Sequence, residues 1–79
     1  MKVTVKFFAR YRDIVGEPEV EVEVRDGATV ASLIAKLADQ YADFPDDPSM
    51  VAVNAEYIDS DAALSQGDEV AFFPPFSGG

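Results

Sequence analysis

The chain has 79 residues, of which 48% are apolar, and it contains neither cysteine nor histidine. This bounds it to one small domain with a single core and no disulfide support, and it removes the neutral-pH base, the thiolate nucleophile and the common zinc ligands, so no autonomous catalysis is expected. Fifteen acidic residues against six basic ones give a net charge of −9, which argues against nucleic acid or anionic lipid as a partner and for a basic protein surface. A salt-rich cytoplasm is a second explanation of the same charge, because screening shortens to about 3 Å at molar salt.

The amino-terminal residues alternate. Val3, Val5 and Phe7 fall on one side and Lys2, Thr4 and Lys6 on the other, the period-two pattern of a half-buried strand over residues 2 to 8. Phe8 then falls on the polar side and is assigned a contact role. Ala9 to Val15 form a short helical turn closed by Gly16 and stopped by Pro18. Nothing here approaches the roughly eighteen apolar residues of a membrane span, and a cytoplasmic location is expected.

From Glu19 to Arg25 valines alternate with charges, a strand expected to pair with the first. Glu19, Glu21 and Glu23 are read as a solvated edge that discourages aggregation, in preference to an acidic docking stripe. After Asp26-Gly27, Thr29 caps a helix in which Val30, Leu33, Ile34, Leu37, Ala38 and Tyr41 recur at helical spacing. Ser at position 32 leaves the capping box incomplete on this reading. Asp43 to Ser49 end the helix as an acidic loop.

Val51 to Ala55 read as a third strand, with a turn at Asn54-Ala55 and a short strand Glu56-Tyr57-Ile58 after it. Asp59 and Asp61 have the opening spacing of a calcium loop, but Ala63 and Leu64 stand where a ligand and a glycine are needed, so no metal is assigned. Gly67-Asp68 turns the chain into the strand Glu69 to Phe73, with Val70 and Phe72 on one face and Ala71 and Phe73 on the other.

The chain closes with Pro74-Pro75-Phe76-Ser77-Gly78-Gly79. Two prolines end the strand, since neither donates a ladder hydrogen bond, and they send the chain away from the body. Phe76 to Gly79 reach about 13 Å when extended, and residues without Cβ admit the last carbonyl carbon to a narrow channel. A plain carboxylate is ionised at neutral pH and is a poor acyl donor, so the Gly79 carboxylate needs activation by another protein. A diglycine alone reads more simply as a frayed end; the prolines and aromatics before it favour a working tail. Residues 1–75 are therefore assigned to the body and 76–79 to a flexible tail.

Strand, strand, helix, strand, short strand, strand describes an α+β fold, a mixed sheet with one main helix packed on one face. With the first and last strands as neighbours, Phe8, Phe73 and Phe76 would form a partner-binding patch on the open face.

The segments Val5-Lys6-Phe7-Phe8-Ala9-Arg10, Val51-Ala52-Val53-Asn54 and Gly67-Asp68-Glu69-Val70-Ala71-Phe72-Phe73-Pro74-Pro75, followed by Gly78-Gly79, resemble the MoaD family, the small subunits of molybdopterin synthase. The resemblance covers nearly the whole chain. It implies the β-grasp fold of ubiquitin and a sulfur carrier. A MoeB-type activating enzyme would use ATP to adenylate Gly79, a sulfur donor would make the thiocarboxylate, and a MoaE-type large subunit would receive it for molybdenum cofactor synthesis. On this resemblance Gly78 supplies clearance, Phe73 and Phe76 anchor the docked body, and Pro74 and Pro75 aim the tail. No cofactor is expected to stay bound. A ubiquitin-like modifier joined through Gly79 to target lysines is the alternative, since archaeal small modifier proteins resemble the same family. The thiamine-pathway carrier ThiS and a noncovalent interaction domain with an inert tail are further alternatives.

Overall fold

A computed structural model describes residues 1–46, 48, 50–59 and 61–74. Five strands form one mixed sheet: β1 (Lys2–Phe7), β2 (Glu19–Glu23), β3 (Met50–Val53), β4 (Glu56–Tyr57) and β5 (Glu69–Phe73), in the spatial order β2-β1-β5-β3-β4. The first and last strands are neighbours and run parallel, with Val5 beside Val70 and Phe7 beside Phe72, whereas β1 pairs with β2, and β3 with both β5 and β4, antiparallel. Two helices, α1 (Arg10–Val15) and α2 (Val30–Gln40), complete the described elements. This is the α+β arrangement read from the sequence, with the longer helix over one face.

The alternation in the strands explains which face that is. Val3, Val5, Phe7, Val22, Val70 and Phe72 are buried on the side that meets Val30, Leu33, Ile34 and Leu37 of α2. Ala38 and Tyr41, also on the helical stripe, sit at its half-buried rim. Phe44, counted with an acidic loop in the sequence, is 4% exposed and belongs to the core. Its ring meets Phe72 edge-on at 5.2 Å and lies 5.6 Å from the Tyr11 ring, so the loop after α2 is anchored by one aromatic plug. Its acidic neighbours hide that role in a window average.

The helix caps carry one correction. The Thr29 hydroxyl accepts from Ser32 N–H at 3.2 Å, and Ser32 Oγ accepts from Thr29 N–H at 2.8 Å. The reciprocal capping box is therefore complete, because the shorter serine side chain reaches the backbone that glutamate or glutamine usually takes. Gly16 closes α1 as expected, at φ +87° with its N–H on Arg12 O at 2.7 Å.

Among the described residues no helix is long and apolar enough to cross a membrane.

Candidate functional site

The site begins with register. Across the open face, the pairing sets Glu19, Lys6, Ala71, Ala52 and Tyr57 in one row. Phe73, two residues after Ala71 and opposite Met50, begins the next row. Phe8 joins it where its N–H donates to Phe72 O at 3.2 Å, just beyond the end of β1.

The aromatics then converge. Phe8 and Phe73 stack with ring centroids 4.7 Å apart and 7° from parallel, and Tyr57 meets Phe73 edge-on at 6.3 Å. Phe8 is 43% and Tyr57 68% exposed, while Phe73 between them is half-buried. Ala52 and Ala71 form the floor beside them, buried although they lie on the face away from the helix. Small residues in the middle strands leave room beside them for the rings of Phe8, Tyr57 and Phe73. The result is an apolar surface on an otherwise charged domain, the composition of an interface centre. Phe73 is followed directly by Pro74, so this patch lies at the root of the carboxy-terminal segment.

Phe8 and Phe73 thus occupy the places expected of them on the open face. Tyr57 was missed. The two-residue Asn54-Ala55 turn, with φ +51° and +71°, makes Tyr57 the partner of Ala52 and so faces it toward the patch. Counting that hairpin register in the sequence would have found it. Pro74 is half-buried after β5. Pro75, Phe76, Gly78 and Gly79 lie outside the described residues.

The segments that carried the family resemblance also have a structural account. Asn54 Nδ2 donates to Asp68 Oδ1 at 3.0 Å, Asn54 Oδ1 accepts from Glu69 N–H at 3.0 Å, and Asp68 Oδ2 accepts from Ser65 N–H at 2.8 Å. Gly67 turns the chain at φ +83° and donates its N–H to Lys2 O at 2.8 Å. The Val-Asn and Gly-Asp-Glu-Val segments therefore lock the start of β5 to β1 and to the β3–β4 turn. That lock sets the register that brings Phe73 to Phe8. Lys6 and Glu69 add an ion pair at 3.3 Å on the same face, half exposed and hence worth little to stability.

Comparison with known proteins agrees with this fold. The ThiS family matches residues 5–79. The molybdopterin synthase sulfur carrier subunit of Escherichia coli K12 is 41% identical over 81 aligned positions, covering 98% of this chain and 99% of that protein. Among solved structures, the small archaeal modifier protein 1 of Haloferax volcanii superposes with a TM-score of 0.79 at 29% identity, with both chains fully covered. Subunit 1 of the molybdopterin-converting factor of Helicobacter pylori, solved in complex with subunit 2, gives 0.67 at 25% identity, again with both chains fully covered. The fold is the β-grasp of these proteins. By sequence the chain belongs to the ThiS family and is similar to the molybdopterin synthase sulfur carrier subunits.

Proposed function

We infer that this protein is a sulfur carrier for molybdopterin synthesis and that its reactive group is the Gly79 carboxylate. The observation that carries the reading is the position of the Phe8, Phe73 and Tyr57 patch at the root of a segment ending in Gly78-Gly79. A partner that grips the patch receives a tail whose reach from the grip is limited by its length. Four residues beyond Pro75 span about 13 Å, enough to enter a pocket beside the docked body.

The chemistry follows from the poor reactivity of a carboxylate. An oxygen of the Gly79 carboxylate attacks the α-phosphorus of ATP on a MoeB-type activating enzyme, and pyrophosphate leaves. A sulfur donor at the oxidation level of sulfide then attacks the acyl carbon; the C–S bond forms, the bond from that carbon to the phosphate oxygen breaks, and AMP leaves with its electron pair. The thiocarboxylate so formed carries a polarisable nucleophile on a carbon that glycine leaves unshielded. A MoaE-type large subunit would take the sulfur, with Phe73 and Phe76 holding the body, Pro74 and Pro75 directing the tail and Gly78 giving clearance. Support for the second partner comes from the related Helicobacter pylori subunit 1, whose structure was solved with its subunit 2.

The likeness to an archaeal modifier protein favours a second reading, in which the same adenylate passes to lysines of target proteins. One experiment tests the carrier reading. The protein is incubated with ATP, magnesium, a sulfur donor and the activating enzyme of the same cell, and its intact mass is recorded. Replacement of one oxygen by sulfur, lost when Gly79 is removed, is the expected result. An unchanged mass beside an enzyme that activates another substrate would overturn it, and diglycine remnants on cellular lysines would favour the modifier.

A further inference from the structure

Away from the aromatic patch, β2 forms one edge of the sheet, with β1 on one side only. Its even-numbered positions spend their backbone groups on β1. Val24 N–H donates to Met1 O at 2.8 Å, the Met1 amine donates to Val24 O at 2.7 Å, and Phe7 N–H donates to Pro18 O at 2.9 Å. Because an antiparallel ladder alternates, the backbone groups of Glu19, Glu21 and Glu23 point away from β1. The Glu23 carbonyl accepts from Lys36 Nζ of α2.

The two sides of this edge differ in charge. On the open face Glu19, Glu21 and Glu23 succeed one another at about 6.8 Å, exposed, and none forms an ion pair among the described residues. Lys6, the register partner of Glu19, is engaged by Glu69 instead. On the helix side a cleft of about 470 Å³ opens between the end of β2 and α2, bordered by Glu23, Val24, Ala28 and Ser32 and by the cations Arg25 and Lys36.

We propose that β2 accepts an added strand, an extended segment of a partner protein with lysine or arginine at alternate positions over the glutamates and apolar or acidic side chains toward the cleft. Main-chain hydrogen bonds to Glu19, Glu21 and Glu23 supply the adhesion, and the opposed charges of the two faces select the sequence and the side up. The chain already contains one strand that fits half of this rule: Lys2, Thr4 and Lys6 of β1 lie opposite Glu23, Glu21 and Glu19. A second copy joined through β2 sets glutamates against glutamates and is disfavoured. Lys36 leaves the Glu23 carbonyl as the strand arrives. With β1 between this edge and β5, the site stands apart from the patch and from the fate of the tail.

The test uses nitrogen-15-labelled full-length protein and an acetylated, amidated peptide Lys-Val-Thr-Val-Lys-Val, with a control in which both lysines are glutamate. At millimolar peptide the amide signals of Glu19, Glu21 and Glu23 shift and their hydrogen exchange slows about tenfold or more, while the control peptide leaves them unmoved. Glu21→Lys weakens binding about tenfold. Glu21→Pro abolishes it with the β1 ladder kept, because the lost N–H faces outward; if that variant does not fold, Glu21→Lys decides. Absence of shifts at the three glutamates, shifts centred on Phe8, Phe73 and Tyr57, equal binding of the control, or concentration-dependent protection without peptide would each overturn the proposal.

Discussion

The rings of Phe8 and Phe73 stack at 4.7 Å, joining the end of β1 to the end of β5 where the chain passes into Pro74. An aromatic pair of this kind contributes about 0.5–1.5 kcal/mol beyond its buried area, yet the Phe8 side remains 43% exposed. On the proposed function the pair receives a partner, and the core does not depend on it. Phe73→Asp is expected to keep the native circular-dichroism spectrum and to weaken binding to the proposed activating enzyme by about 30-fold or more, the loss of a central interface residue worth about 2 kcal/mol. A molten spectrum for this variant would assign Phe73 to the core instead.

Tyr57 separates the two roles more cleanly, being 68% exposed. Tyr57→Ala is expected to change unfolding free energy by no more than about 0.5 kcal/mol, while binding to the same enzyme falls measurably. Urea denaturation and a binding titration on one preparation give both quantities.

Phe44 is expected to behave in the opposite way. It is 4% exposed and touches Phe7, Tyr11 and Phe72, so Phe44→Ala should cost about 3–5 kcal/mol through lost burial and the cavity left behind. In a domain this small that is much of the total stability, and the urea midpoint should fall accordingly.

The helix cap gives a finer test. Thr29→Ala removes the acceptor of Ser32 N–H, and Ser32→Ala removes the acceptor of Thr29 N–H. Each should lower stability by about 0.5–2 kcal/mol, and the double variant should lose less than the sum, because the two hydrogen bonds form one reciprocal motif. Thermal or urea unfolding of the four proteins closes the cycle.

Net charge leads to a prediction about salt. At −9, with two ion pairs among the described residues, self-repulsion opposes folding. Raising the ionic strength from about 0.1 M to 1 M shortens screening from about 10 Å to 3 Å and should raise the melting temperature. A flat response would remove the salt-rich cytoplasm as an explanation of the acidic surface.

Much of this was legible in the chain because strands and helices impose their own periods on the residues they bury. Val3, Val5 and Phe7 alternate, Val30, Leu33, Ile34 and Leu37 recur at helical spacing, and both sets form the core where expected. The opposed faces of Phe72 and Phe73 follow from the same rule, whereas the stops at Gly16 and at the Asn54-Ala55 turn rest on a separate signal, residues that turn the chain at positive φ. Local sequence could not place Phe44, since nothing in an acidic loop says that its one aromatic turns inward to meet rings from β1, α1 and β5. Nor could it assemble Tyr57 with Phe8 and Phe73. These three residues are far apart along the chain, and their meeting depends on β5 lying between β1 and β3 with alanines 52 and 71 beneath the rings. Periodicity decides which side of an element is apolar; only the order and register of the strands decide which apolar sides become neighbours, because side chains on separate strands are brought together by long-range pairing and not by spacing in sequence.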